Sequence, residues 1–323
     1  MATSLSILPG VPAVTQLWQV VFPEIAYKHA YMMHCLISLS ALHVAYLNPD
    51  DRRANLHIAA HHHTVALSGF RADIDTIGPH NAEAVFATST LMFFYAFCTF
   101  SKLSDANADK QQDNDSTSDS LSIRTSRILG AEWIPLVRGI QAVIGPIYEH
   151  LKEGPLKSTL HLKDWDDMDP NMQPGPDDQH VVRIKQTWAD DGNKAVYDET
   201  LYLLRKMSAW VLHFRKTWED QQEEWGYNGS WSAPFVWLSL VPKEYFKLQQ
   251  QRQPLALLIF AYFGALLEQL HTGWWTAGCG TSIVGVVDDF LGSYWAEWME
   301  WPKQVVNQQQ QRQSSEKQGI DTH

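Results

Sequence analysis

From Leu255 to Leu267 every position is apolar or glycine. No face of a helix over this stretch could rest in water, so other elements must wrap it, and the pattern predicts the central helix of a core. Thirteen residues fall short of the roughly 20 that cross a bilayer, and Glu268 and His271 end the run with polar groups. Upstream, Ala26 to Leu47 predicts a first buried helix, stopped at Asn48-Pro49 because the residue before proline is pushed out of the helical region. Between Arg52 and Ile77 the positions Ile58, Val65, Phe70, Ile74 and Ile77 predict one apolar side, broken at Gly78-Pro79. Asn81 is the expected cap of a helix whose Phe86, Met92, Phe93, Phe94, Phe97 and Phe100 form a dense aromatic lining.

The clearest amphipathic stripe runs through Trp133, Leu136, Val137, Ile140, Val143, Ile144, Ile147 and Leu151, closing at Gly154-Pro155. A second steps through Tyr197, Leu201, Leu204, Met207, Val211, Phe214 and Trp218, after a loop rich in Asp and Pro between Asp164 and Asp178. Ile283, Val287, Phe290, Tyr294 and Trp298 predict the final helix. Residues 101–122 form a Ser/Asp/Asn/Gln tract too polar to repay the entropy of ordering, and 303–323 form a Gln-rich tail; both are expected to be disordered. Strand signals are nearly absent. The reading is an all-α single domain over residues 1–302, with about eight to ten helices around one apolar core.

Composition narrows the function. Lys and Arg number 25 against 36 Asp and Glu, a net charge of −11, which repels a phosphate backbone, so direct nucleic-acid binding by this chain is not expected. Cys35, Cys98 and Cys279 lie far apart in apolar or glycine-rich segments, which suits reduced, buried thiols and an intracellular setting. No secretory signal is read at the N-terminus, and no membrane association is expected. The 14 tryptophans, concentrated after Trp188, favour a core of awkward volumes or a pocket for a flat apolar molecule.

Candidate chemistry is sparse. His57 and His61 stand one helical turn apart beside His62 and His63, a spacing that can place two imidazoles on a metal, but no third ligand is evident. Asp164, Asp166, Asp167 and Asp169 form a carboxylate cluster of the kind that holds magnesium, with Asp190, Asp191, Asn193 and Glu199 as an incomplete second motif. Such a pair would belong to a helical enzyme of terpenoid metabolism acting on an isoprenyl diphosphate, the alternative reading. The carboxylates sit in a Pro-rich loop, so no metal, no cofactor and no catalytic residue is assigned. Gly278-Cys279-Gly280 follows no strand and does not continue as a dinucleotide fingerprint.

Several segments taken in order resemble the C-terminal regulatory domain of fungal zinc-cluster transcription factors, in the branch of sterol uptake control regulators. They are Pro23-Glu-Ile-Ala-Tyr-Lys-His29, Leu39-Ser-Ala-Leu-His43, Phe70-Arg71, Asn81-Ala-Glu-Ala-Val-Phe86, Trp133-Ile-Pro-Leu-Val-Arg138-Gly139, Gly154-Pro-Leu156, Leu203-Leu-Arg205, Phe235-Val-Trp237, Tyr245-Phe246, Pro254-Leu-Ala256, Tyr262-Phe263, Trp274-Trp275 and Trp298-Met-Glu-Trp301-Pro302. The six-cysteine module through which such regulators read DNA is not among them, and it folds only around its zinc. The resemblance implies a non-catalytic effector domain in the nucleus and/or cytoplasm. It would sense a sterol, isoprenoid or other hydrophobic small molecule and act through a protein partner or as a homodimer. It also implies a ligand cavity bordered by a glycine-rich segment ahead of the last helix. Here that segment is Gly273, Trp274, Trp275, Gly278 and Gly280, with Phe93, Phe97, Phe260 and Phe263 as wall candidates.

Overall fold

The computed structural model describes residues 16–100, 118–160, 162, 164–217, 232–269 and 274–320. Among these residues there is no strand, and the chain is all-α. A π-helical turn, Leu17–Val21, leads into α1 (Phe22–Lys28), followed by α2 (Ala30–Leu47), α3 (Arg52–Ile74) and α4 (Ala82–Phe100). Next come α5 (Ser118–Ile128), α6 (Trp133–Glu153), α7 (Asp178–Arg183) and α8 (Lys194–Thr217). The last third holds α9 (Ala233–Leu240), α10 (Lys243–Gln250), α11 (Pro254–Gln269), α12 (Cys279–Leu291) and α13 (Ala296–Ile320).

Two apolar helices organise the rest. In α11 every residue from Ala256 to Glu268 is buried, as its unbroken apolar run requires, and α8, α10, α12 and α13 surround it. α4 has the same role in the N-terminal half, against α2, α3 and α6. A run of aromatic rings joins the halves. Phe97 of α4 meets Trp133 of α6 edge to face at 5.3 Å, Trp133 stacks on Phe260, Phe260 on Phe263, and Phe263 on Trp237 at 4.5 Å. Ring pairs at these separations add about 0.5–1.5 kcal/mol each beyond their buried area.

Small residues set the tightest hairpin. α2 and α3 meet through Ser38, Ala41 and Ala45 against Ala59, Ala66 and Gly69, and the Ser38 hydroxyl donates to the Ala59 carbonyl at 2.8 Å. A Cβ on Gly69 would lie 2.8 Å from the Tyr31 Cβ, so glycine is what lets these helices touch. All three cysteines are free and buried, and burial pushes the Cys35 thiol up to about 12, leaving it unreactive.

Several sequence expectations are corrected. The Asn81 side chain does not turn forward to cap α4; its Oδ1 accepts the Gly78 N–H at 2.9 Å and its amide donates back to the Asp73 carbonyl, tying down the preceding turn. Ile58 and Val65 do not share the buried side of α3 with Phe70, being 46% and 37% exposed. The run from Ile283 to Trp298 is not one helix, because Gly292 at φ 65° ends α12, and beyond that break Tyr294 is exposed. Among the described residues, short helices also occupy the loops between the long ones.

The expected disorder is also revised. Residues 118–122 begin α5; residues 101–117 lie outside the described part. The chain stays helical past Pro302, to Ile320, because Val305, Val306 and Gln309 are buried against the core. Pro302 has no N–H to offer the carbonyl of Trp298 four residues earlier. The Tyr262 hydroxyl of α11 donates to that carbonyl at 3.0 Å, so the proline is accommodated by a tertiary hydrogen bond.

Candidate functional site

An apolar cavity of about 260 Å³ opens where α4, α6 and α9 diverge. Polar clamps hold its walls. At one end the His150 ring of α6 and the Glu83 carboxylate of α4 are 2.9 Å apart. At the other, Arg138 of α6 donates to the carbonyls of Leu238 and Val241 at 3.0 and 2.8 Å. Those carbonyls end α9 and have no partner of their own within it, so the guanidinium serves as a cap delivered from another helix. Between the clamps, Ala87, Thr90, Val137 and Ser239 are too small to fill the gap.

The lining fixes what could enter. α4 contributes Phe86, Phe93 and Phe94, α6 contributes Ile140, Ile144 and Tyr148, and α9 contributes Phe235, Val236 and Leu240, with Leu160 and Leu162 at the mouth. The Thr90 hydroxyl is already bonded to the Phe86 carbonyl and that of Thr159 to the Leu156 carbonyl. Gln141, Ser232, Ser239 and the Tyr148 hydroxyl make up the rest of the polar lining. Among the described residues of the lining, Tyr148 is the one titratable group, and it is half-exposed. Such a lining receives a greasy body with one polar end. A second cavity, of about 430 Å³ between α8, α11 and α13, is lined in part by Asp177, Gln269, Gln309 and Arg312 and offers a polar environment instead.

The residues singled out in the sequence are spread over the core. Phe93 lines the cavity. Trp275 stands one ring behind it, edge-on to Phe94 at 4.8 Å and tilted on Phe235 at 5.7 Å. Phe97, Phe260 and Phe263 belong to the aromatic run that joins the two halves. Trp274 stacks on His43 of α2 at 4.8 Å, away from that cavity, and its buried indole N–H has no acceptor among the described residues. Gly273 lies outside the described residues.

The two remaining glycines have mechanical tasks. Gly278, at φ 75°, precedes α12 in the left-handed region that L side chains avoid. Gly280 sits where α12 crosses α11: a Cβ there would lie 2.2 Å from the Gly264 carbonyl oxygen. Beside it, the buried Glu268 carboxylate accepts the Thr281 N–H at 3.0 Å, capping the N-terminus of α12 from α11.

Neither metal candidate assembles. Among the described residues no three His, Cys, Asp or Glu side chains come together as a metal site. Asp164 faces His213 at 3.2 Å, Asp166 and Asp167 are exposed, and Trp165 and Met168 anchor this loop in the core. Asp191 accepts the Asn193 N–H in a local turn. His57 and His61 are both exposed. The histidines that do engage are ones the spacing did not favour: His62 lies 2.7 Å from His34 of α2, nitrogen to nitrogen, and His63 stacks flat on Tyr95.

Comparison with known proteins agrees with the resemblance to zinc-cluster regulators. Residues 1–107 match the family described as fungal specific transcription factor domain, a span that takes in α1 to α4 and hence one wall of the cavity. A Zn(2)-C6 fungal-type transcription factor of Gibberella zeae is 25% identical over 312 residues, covering 94% of this chain and 59% of that protein. The chain therefore spans about three-fifths of the length of the curated relative it matches. No zinc-cluster module is found within this chain, and neither comparison refers to a sterol.

Proposed function

We propose that this chain is the regulatory region of a transcription factor of the fungal zinc-cluster type, and that the cavity between α4, α6 and α9 admits a hydrophobic small molecule that governs its activity. The observation behind this reading is the cavity itself, lined mostly by apolar side chains, with the polar Thr90, Gln141, Thr159, Ser232 and Ser239 between them. Ligand would act by differential affinity: one spacing of α6 and α9, set by the Arg138 clamp, would bind it better than another. DNA would be read by another region or a partner, since the chain carries a net charge of −11. Its place of action would be the nucleus, with the cytoplasm as the alternative, and its targets would be genes of lipid or secondary metabolism.

Size favours a slender ligand over a whole sterol. A dry cavity of roughly 150 Å³ holds benzene, so by the same ratio about 260 Å³ encloses about ten heavy atoms. A rigid four-ring sterol would leave most of its ring system outside, whereas a flexible isoprenoid alcohol such as farnesol can thread about ten of its heavy atoms in and keep the remainder, with its hydroxyl, outside near Gln141 or Ser239. Thermal unfolding with farnesol and with ergosterol tests this. Farnesol in hundredfold excess over its Kd should raise Tm by roughly 5 °C, and Ser239→Trp, which plugs the mouth, should abolish the shift. No shift with farnesol, or one unchanged in Ser239→Trp, overturns the assignment. A second reading places ligand contact at the glycine-tryptophan elbow, on the strength of the unpartnered Trp274 N–H. It predicts that Trp274→Phe, and not Ser239→Trp, removes the stabilisation.

A further inference from the structure

The cavity of about 430 Å³ between α8, α11 and α13 shares no lining residue with the apolar one. We infer that it binds a zwitterion, a small molecule with an ammonium group and a carboxylate at the ends of an apolar body. Two side chains of opposite charge line it, Asp177 ahead of α7 and Arg312 late in α13, and they are not paired with each other. The Asp177 Oδ2 accepts the Gln269 amide of α11 at 3.0 Å; among the described residues its Oδ1 and the Arg312 guanidinium have no partner. The fold does not use Asp177 otherwise. It stands at the start of α7, where a carboxylate ordinarily accepts the open N–H groups of the first turn, yet it makes no such bond. Its neighbour fastens the loop instead: Arg205 of α8 grips both oxygens of Asp178 at 2.7 and 2.8 Å and reaches the Asn171 amide oxygen at 2.9 Å. On the opposite wall α13 stays helical beyond Pro302, so Gln309 and Arg312, three residues apart, come to one face of it.

The lining selects the ligand by elimination. A simple anion drawn to Arg312 would also meet the Asp177 carboxylate, and a simple cation drawn to Asp177 would meet the guanidinium. A wholly apolar body would take water from both charges and from the Gln269 and Gln309 amides and return no hydrogen bond. A zwitterion answers each group: its carboxylate accepts two parallel N–H bonds from Arg312, and its ammonium donates to the Asp177 Oδ1. Between the charges, Met207, Val211, Leu212 and Leu266 present an apolar wall for the body, with the Ser208 hydroxyl beside them. Size sets the class. A dry cavity of roughly 150 Å³ holds benzene, so about 430 Å³ takes roughly seventeen heavy atoms, the size of a dipeptide of two leucines or slightly more than one tryptophan. Held at both ends, such a ligand ties the late turns of α13 to the loop ahead of α7.

Equilibrium dialysis of the full chain against leucyl-leucine and against L-tryptophan tests the inference. At least one of the two should bind one molecule per chain and, at about ten times its Kd, raise Tm by roughly 3 °C. Tighter binding of leucyl-leucine assigns the site to peptides and tighter binding of L-tryptophan to free amino acids; either result supports the inference. The uncharged counterparts, N-acetyl-leucyl-leucinamide and N-acetyl-tryptophanamide, should bind at least tenfold more weakly. Asp177→Asn, which keeps an oxygen for the Gln269 amide, and Arg312→Gln should each weaken binding at least tenfold. Arg312 is exposed, so its variant keeps the test open even where Asp177→Asn does not fold. No binding of either probe up to about 10 mM overturns the inference and leaves the cavity to water. So does binding that Arg312→Gln leaves unchanged, or an uncharged counterpart bound as tightly as its parent. Ser239→Trp, which plugs the apolar cavity, should leave this binding intact, so the two sites can fail separately.

Discussion

Replacing Gly280 by alanine should be the most damaging single-methyl change in the C-terminal half of the protein. The new Cβ would lie 2.2 Å from the Gly264 oxygen, 2.8 Å from the Glu268 Cβ and 2.9 Å from the Glu268 nitrogen. None of these atoms can rotate away, so α12 must withdraw from α11 by about 1 Å to restore ordinary contact. A gap of that size forfeits a quarter to a half of each van der Waals well along the shared face, which on α12 includes Ile283, Val284 and Val287. It also stretches the 3.0 Å bond from the Thr281 N–H to the buried Glu268 carboxylate past useful length, at about 1.5–3 kcal/mol. With an overpacking cost of about 1–3 kcal/mol, the total is about 2.5–6 kcal/mol. Gly264→Ala meets chiefly the Ile283 side chain, at 2.9 Å, and should cost about 1–2 kcal/mol. Gly285 lies on the same helix with nothing within 4 Å, and its alanine variant should gain about 0.5–1 kcal/mol from helix propensity. Urea unfolding followed by tryptophan fluorescence gives all three. A Gly280→Ala protein within 1 kcal/mol of the parent, or a Gly285→Ala protein less stable than it, would refute the close crossing.

Tyr262→Phe should cost about 1–3 kcal/mol, because it strands the Trp298 carbonyl that Pro302 already leaves without an N–H; an unchanged urea midpoint would show that the carbonyl finds another donor. Stability should also fall as pH drops from about 6.5 toward 4. Burial holds the His63 imidazole down to about 4, so across that window the unfolded chain takes up a proton that the folded one refuses. His43 and His62 are lowered too, chiefly by desolvation, and act in the same direction. The His63 share between pH 7.5 and 5 is about 2 kcal/mol, and His63→Gln should flatten the dependence by about that amount; an identical pH profile in parent and variant would rule out the buried imidazole as its source.

Local pattern was enough for much of this architecture. The unbroken apolar run of α11 and the stripes of α6 and α8 each specify a helix, because 3.6-residue periodicity is a property of one segment by itself. Leu136 of the α6 stripe is nonetheless exposed, and in the α8 stripe Trp218 and the Phe214 side chain lie outside the described residues. The all-α character of the described residues could likewise be read from residue types and order. Other features were decided only when helices met. Ile58 and Val65 look like core positions in one dimension, yet the hairpin with α2 turns them outward. Pro302 reads as a stop, but a hydroxyl from a helix forty residues earlier in the chain keeps α13 intact. Gly280 reads as a flexible elbow, whereas its constraint comes from the Gly264 carbonyl on another helix. The cavity had no sequence signature beyond Phe93, since a void is defined by side chains that fail to meet across three helices distant in sequence. Periodicity encodes which side of a helix shuns water; which neighbour covers that side, and how closely, is fixed by packing between segments and has no local code.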